Sequence, residues 1–221
     1  MASKMNFKEL MKERHSARYF QSKEIPKDVL KEIISTSLLS PSWGNSQPWN
    51  IYVASGETLS EIRKIWISKG NEKIKGYADM DPAHRTNFSE RSQKNMEILT
   101  KYAQECNIKD PNCKSFGGVQ YELFNAPTVV YLTLPKGYTN YSVLDLGGLE
   151  MSIMLAAKDL GVDSIPAYVT ILYPDVIRKY CKIPDNEHII IGIALGYEDD
   201  NAINKYRANK MTLDDCCHFY D

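Results

Sequence analysis

Residues 142–160 are apolar at nearly every angle of a helix. Leu144, Leu149, Met151, Ile153, Met154, Leu155 and Leu160 leave no continuous polar face. Such a helix must be covered on most sides, by a large core or by another subunit. A chain of 221 residues rarely encloses a central helix of that length. The stretch therefore points to a subunit interface. Gly147 and Gly148 inside it each cost roughly 1 kcal/mol of helix propensity. Close approach of another helix or of a ligand would explain the pair.

The remaining apolar runs are shorter. Residues 127–134 are rich in Val and Thr and read as a buried strand. Residues 188–195 are the most hydrophobic strand, punctuated by Gly192 and Gly196. Residues 49–54 form a third strand, and residues 162–170 an extended segment around Ile165-Pro166-Ala167. Helical spacing of apolar residues predicts helices at 57–69 and 89–106, and a short one from Pro174. Asn6 and Glu9 have the spacing of a capping box for a first helix that ends near Arg14. Pro26 suits the start of a second helix, and Ser40-Pro41 its stop. Residues 70–87 are polar and irregular, a loop or a mobile lid. Phe116-Gly117-Gly118 is a turn that shapes a pocket or a plain linker; both readings stand.

Composition closes off several functions. The formal net charge is −1, which favours no polyanion such as DNA or RNA. No apolar run approaches the roughly 20 residues that span a bilayer. The first six residues carry no apolar core and read as no signal peptide. The five cysteines are odd in number and irregular in spacing, which predicts ordinary thiols and a reducing cytoplasm. Cys216-Cys217-His218 lacks the Cys-x-x-Cys loop and a second cluster, so no metal is expected. No Gly-x-Gly-x-x-Gly follows a strand, and there is no Walker A, His-Glu-x-x-His or Gly-x-Ser-x-Gly motif. Repeats and low-complexity stretches are absent too.

Two stretches carry chemistry. Arg14-His15-Ser16-Ala17-Arg18 sets two guanidinium forks and a hydroxyl within five residues, which suits a phosphate or a solvated surface. The dipole at a helix C-terminus repels anions, so any phosphate there must be held by side chains. The second stretch, Pro41-Ser42-Trp43-Gly44-Asn45-Ser46-Gln47-Pro48-Trp49, sets polar amides among flat aromatics in a loop between a helix and a strand. Such loops are common binding sites. The polar stretch after Tyr197 carries Arg207 and Lys210, with Leu213, Phe219 and Tyr220 as signs that it packs on something.

These features, with Ser40 and the C-terminal Gly196-Tyr197-Glu198 and Asn204-Lys205-Tyr206-Arg207-Ala208-Asn209-Lys210, resemble the nitroreductase family of FMN-dependent oxidoreductases. The resemblance runs from about residue 7 to 213 and is weakest over 68–116. It implies an α+β homodimer with a central, mostly antiparallel sheet wrapped by helices, formed by one FMN-binding domain over residues 1–221. Residues 70–116 would supply a lid and residues 197–221 an extended tail. FMN would sit at the dimer interface. Arg14, His15, Ser16 and Arg18 would lie near its phosphate and pyrimidine edge, with His15 presenting backbone. Pro41, Ser42, Asn45 and Gln47 would come from the neighbouring subunit or the ring's edge. Ile165, Pro166 and Ala167 would lie beside the central ring, with a backbone N–H aimed at its reactive nitrogen. Arg207 and Lys210 would complete the phosphate site, and Asn87 and Arg91 match more loosely.

No catalytic side chain is implied, because the flavin carries the chemistry. The implied reaction passes a hydride from NAD(P)H to nitroaromatics, quinones or similar flat acceptors. The alternatives are an FMN-dependent reductive dehalogenase or ene-reductase, and a non-catalytic flavin sensor or store. Trp43 stands where many relatives have a small residue, either to stack on a flat ligand or to fill the dimer seam.

Overall fold

The computed structural model describes residues 5–221. Strands β1 (Asn50–Ser55), β2 (Thr128–Pro135), β3 (Asp163–Pro166) and β4 (Glu187–Gly196) form one sheet in the order β1-β2-β4-β3. Every strand pairing is antiparallel. The helices are α1 (Phe7–Glu13), α2 (Lys27–Ser37), α3 (Gly56–Asn71), α4 (Glu90–Lys109), α5 (Gly118–Tyr121), α6 (Asn140–Asp159) and α7 (Pro174–Cys181). The class is α+β, as expected.

Side chains of a strand alternate between faces, and β2 shows what that does here. Val129 and Tyr131 point into a core built with Leu59, Ile62 and Trp66 of α3 and Ile177 of α7. Val130, Leu132 and Leu134 point into a second core, with Ile33 of α2 and Leu149 and Ile153 of α6. Helices thus cover both faces of the sheet, and β2 is apolar on both sides because neither of its faces meets water.

The edge of β3 is closed by the chain's own N-terminal segment. Ser16 bridges Ser164 in parallel, and the Ala17 N–H donates to Ser164 O at 3.1 Å. Farther along, Phe20 bridges Glu198, and the Gln21 N–H donates to Tyr197 O at 2.9 Å. Covering an edge in this way satisfies backbone groups that would otherwise template aggregation. It also lays the cationic stretch against the end of the sheet.

Gly192 lets the next segment close. The chain after β3 folds as a 3-10 turn, Tyr168–Ile171, on top of β4. A Cβ on Gly192 would lie 2.1 Å from Thr170 Oγ1. Thr170 Oγ1 donates to Ala167 O at 2.7 Å, and the Ala167 N–H donates to Gly192 O at 3.0 Å. The Trp66 indole N–H, also buried, donates to Val169 O. Residues 165–170 are thereby fixed from both sides.

One expectation needs correction. Cys106 and Cys113 form a disulfide across the end of α4, so the five cysteines are not all thiols. The odd count hid a pair only seven residues apart. Cys181, Cys216 and Cys217 are free. Among the described residues nothing comes close to Gly147 or Gly148; a Cβ at either would meet open space. The helix α6 buries Leu146, Leu149, Ile153 and Ala157 in its own chain's core, while Leu144 remains 70% exposed. One chain therefore covers only part of it.

Residues 72–89 are largely irregular, yet their first half is tied down. The Tyr77 N–H donates to Leu172 O at 2.8 Å, Tyr173 Oη donates to Ile74 O, and Asp79 pairs with Arg178 at 2.6 Å. Among the described residues no helix is long and apolar enough to cross a membrane.

Gly192→Ala should destabilise the protein by about 1–3 kcal/mol, the usual result of forcing a methyl into a packed core. Urea unfolding measures it, and an unchanged midpoint would contradict the close fit of Thr170 on β4.

Candidate functional site

α1 delivers the first cations. Its N-terminus is closed by the expected capping box: the Glu9 N–H donates to Asn6 Oδ1 at 3.1 Å, and the Asn6 N–H to Glu9 Oε2 at 3.2 Å. Arg14 ends the helix with extended backbone angles (φ −65°, ψ 120°). The chain then turns onto the β3 edge.

Asn204, buried at 2% exposure, joins this stretch to the C-terminal arm. Its Oδ1 accepts from the Arg18 N–H (2.6 Å) and the Tyr19 N–H (3.1 Å). Its Nδ2 donates to Tyr19 O (2.7 Å) and Asp199 O (2.8 Å). One side-chain amide thus satisfies four backbone groups on segments some 185 residues apart. Arg207 is held close by, its Nη1 donating to Asn204 O (2.6 Å) and Tyr206 O (3.1 Å).

The result is a cavity of about 670 Å³. Arg14, His15, Ser16, Arg18, Arg207 and Lys210 all line it, with Lys12, Glu13, Tyr206 and Met151 of α6. Five cations face one carboxylate, so the field inside favours an anion. Arg14 Nε is buried without a hydrogen-bond partner among the described residues. A buried donor left unpaired is costly, and an anion oxygen in this cavity would satisfy it.

A second chamber, about 430 Å³, shares Ser16 and Arg18 with the first. Its other walls are largely apolar and flat: Phe116, Phe124, Ile165, Pro166, Ala167 and Tyr168 among them. Arg18 is the partition. Its Nη1 donates to Ser16 O at 2.9 Å, and its guanidinium lies 5.6 Å from the Phe116 ring centroid and 5.1 Å from that of Tyr206. Burial lowers the pKa of Arg18 from its ordinary value, and Tyr206 and Tyr102 oppose the shift. Arginine titrates so far above neutrality that the group stays charged. An anion-binding hollow opening beside a flat apolar slot suits a ligand with a phosphate at one end and a planar ring at the other.

Nine predicted site residues therefore meet: six at the cationic hollow and Ile165, Pro166 and Ala167 at the flat chamber. Pro41, Ser42, Asn45 and Gln47 line neither chamber within one chain. Pro41 borders a separate groove with Phe7, Leu39 and Ser152. Ser42 Oγ accepts from the Gln47 N–H at 2.9 Å, and Asn45 Oδ1 from Gln47 Nε2 at 3.2 Å. Asn45 and Gln47 both have positive φ, +57° and +44°, which costs energy in an exposed loop. Trp43 is 68% exposed, tied by its N–H to Asp145 Oδ2 and set 6.2 Å from the Tyr141 ring.

The Ala167 N–H is committed to Gly192 O. Phe116 settles the open reading of its turn, since it lines the chamber and packs edge-on against Tyr102. Arg91 donates to Asp215 O in the tail. Asn204 and Tyr206 were missed as site residues; the motif around Arg207 contains both, but nothing in a polar tail marks an Asn as buried.

A basic hollow joined to a flat slot, on a helix-wrapped antiparallel sheet, is an arrangement that a nucleotide-like ligand would fit. The family model for the nitroreductase family matches residues 11–197, and the chain belongs to that family. It is 26% identical over 216 residues to a 4-nitrobenzoate reductase of Pseudomonas putida, spanning 97% of this chain and 95% of that protein. It is 24% identical to a chloronitrobenzene nitroreductase of Comamonas testosteroni, over 96% of this chain and 95% of that protein. In fold it is similar to the FMN-dependent nitroreductase NfnB of Mycobacterium smegmatis, solved in complex with NADPH, with a TM-score of 0.87, 22% identity and 97% of each chain covered.

Asn204→Ala should cost about 2–4 kcal/mol, because several backbone groups lose their partner together. Thermal or urea unfolding reads this directly; a cost near zero would mean that water replaces the amide and that Asn204 does not hold the two arms.

Proposed function

We propose that this protein is an FMN-dependent oxidoreductase that takes a hydride from NAD(P)H and reduces nitroaromatics, quinones or similar flat acceptors. The observation that carries the proposal is the convergence of Arg14, Arg18, Arg207 and Lys210 on one hollow in which the buried Arg14 Nε lacks a partner. A phosphate dianion fits that donor set, since guanidinium groups offer forked, charged hydrogen bonds. The flat chamber beside it fits a planar ring. The names of the relatives agree: nitroaromatic reductases in sequence, and an FMN-dependent, NADPH-binding enzyme in fold.

The chemistry FMN supplies when bound is hydride transfer from the nicotinamide onward to the acceptor. The chain's own residues bind and orient. Arg14, Ser16, Arg207 and Lys210 hold the phosphate, with His15 between them. Arg18, fixed between two aromatic rings, is the cation assigned to the ring's edge, where positive charge favours the reduced cofactor. Ile165, Pro166 and Ala167 form one wall of the chamber, and Phe116 lines it beside Arg18. Residues 70–116 act as the lid, in one domain that spans the chain.

A homodimer completes the reading. The open flank of α6 at Leu144, Gly147 and Gly148 is the surface a second copy would cover, and Pro41, Ser42, Asn45 and Gln47 are assigned to the neighbouring subunit's site. The proposed setting is the cytoplasm, where the donor nucleotide is plentiful.

The visible spectrum of the purified protein tests the assignment. A flavin spectrum that bleaches under anaerobic NADH or NADPH supports it. A flavin that does not bleach points to a sensor or store instead, and failure to take up FMN overturns it. Changing Arg14 and Arg207 together to Ala should release FMN at least about a hundredfold more readily, as expected when two charge-assisted contacts are lost, with the circular dichroism spectrum unchanged. Sedimentation should show a dimer at micromolar concentration. A stable monomer that binds FMN would remove Pro41, Ser42, Asn45 and Gln47 from the site.

A further inference from the structure

We infer that Arg63 is a positioning residue that holds one wall of the flat chamber at its distance from the other, and so sets the size of the acceptor that reaches the ring. The inference rests on the FMN reading above and deepens it.

The wall it holds is strained. Leu123, Phe124 and Asn125 all have positive φ, +50°, +58° and +55°. The left-handed region crowds a Cβ against the following carbonyl, and three such residues in a row need outside support. The turn nevertheless buries Leu123 in the core and puts Phe124 on the chamber.

Arg63 supplies the support. Its Nε donates to Glu122 O at 3.0 Å, and its Nη2 donates to Ala126 O. One guanidinium thus bridges the residue before the turn and the residue after it. Among the described residues no carboxylate lies within ion-pair distance of Arg63. Its charge is spent on carbonyl oxygens, and burial lowers its pKa from the ordinary value without neutralising it. The N-terminal segment braces the other side of the turn. Asn125 Nδ2 donates to Phe20 O at 2.9 Å, and the Phe20 N–H donates to Phe124 O at 3.0 Å.

The opposite wall hangs from the same helix. The Trp66 indole N–H donates to Val169 O at 3.0 Å, and Val169 lines the chamber with Ile165 and Ala167. Gly70 meets the first wall again, where a Cβ would stand 2.6 Å from Tyr121 Cδ1. Arg63, Trp66 and Gly70 follow one another at spacings of three and four residues, so they share a face of α3. Among the described residues, none of α3 lines the chamber. The helix stands behind both walls and fixes the gap between them.

The gap matters because a hydride passes only between atoms held about 3–3.5 Å apart. The flavin ring takes part of the chamber, and the acceptor must press against it in the remainder. A wall that yields admits a wider acceptor and holds a narrower one less well.

The test compares kcat/KM for 1-nitronaphthalene and for nitrobenzene, with FMN saturating and whichever nicotinamide nucleotide bleaches the flavin. Both compounds meet the same preparation, so their ratio cancels the amount of folded enzyme, and a loss of stability alone does not move it. In Arg63→Met, which has no donors, the ratio should rise about tenfold, within the roughly hundredfold range that a 1 Å misplacement produces. Arg63→Lys keeps the charge, but a point-like ammonium does not span two carbonyls, so the ratio should still rise about threefold. Gly70→Ala presses on Tyr121 from behind and should lower the ratio about threefold. It leaves Arg63 in place and so tests the wall even where R63M does not fold. A wild-type ratio in R63K or in folded R63M overturns the inference, and so does a ratio in G70A that stays level or rises. A wild type that takes up no FMN sinks the FMN reading and this inference with it, and its lack of colour tells that result from an unchanged ratio.

Discussion

The site depends on one buried amide. Asn204 bonds to backbone on both sides of the gap between the N-terminal cationic stretch and the C-terminal arm. A buried amide with its hydrogen bonds made is specific in a way that apolar contact is not. Any shift of either segment leaves a polar group unpaired at a cost of about 1–3 kcal/mol each. That specificity is needed here because the groups being gathered repel one another. Arg14, Arg18, Arg207 and Lys210 share one hollow, and like charges held together in a partly dry space oppose folding. The fold holds them with neutral bonds, from Asn204 and from carbonyl oxygens such as Ser16 O.

The flat chamber is rigid for a different reason. Its back wall, residues 165–170, rests on β4 at Gly192, where no side chain stands in the way. The same segment is tied to Trp66 of α3 and so to the core of the sheet. The Cys106–Cys113 disulfide sits just before Phe116, which packs against both Tyr102 of α4 and Arg18. Covalent and aromatic contacts thus set the position of the outer wall, and hydrogen bonds that of the inner one.

Much of the fold was legible in local pattern. The two long strands show as apolar runs, the capping box at Asn6 and Glu9 marks a helix start, and Ser40-Pro41 marks a stop. Such signals involve residues close in sequence. The site was legible only through resemblance, because Arg14 and Arg207 mean little until a fold brings them together. What escaped reading is pairing at a distance or against a rule of thumb. Asn204 in a polar tail gives no sign of burial. Cys106 and Cys113 flank Asp110-Pro111, a turn able to bring them face to face, but an odd cysteine total argued against looking. For α6 the apolar surface is wider than its own core uses, which buries one side of the helix and leaves Leu144 exposed. The loop from Pro41 to Gln47 reads as a site and yet lies apart from both chambers of its own chain.

The order in which the chain is made gives the Asn204 junction a temporal meaning. Arg14 and Arg18 leave the ribosome early, and at about 5–20 residues per second they wait several seconds or more for their partners. Until residues 198–207 have been synthesised, the N-terminal stretch lacks the arm that Asn204 ties to it, and the hollow has only its first wall. Cofactor capture is therefore a late event, open only to chains translated through the arm. An incomplete chain, however well its sheet has formed, would be colourless.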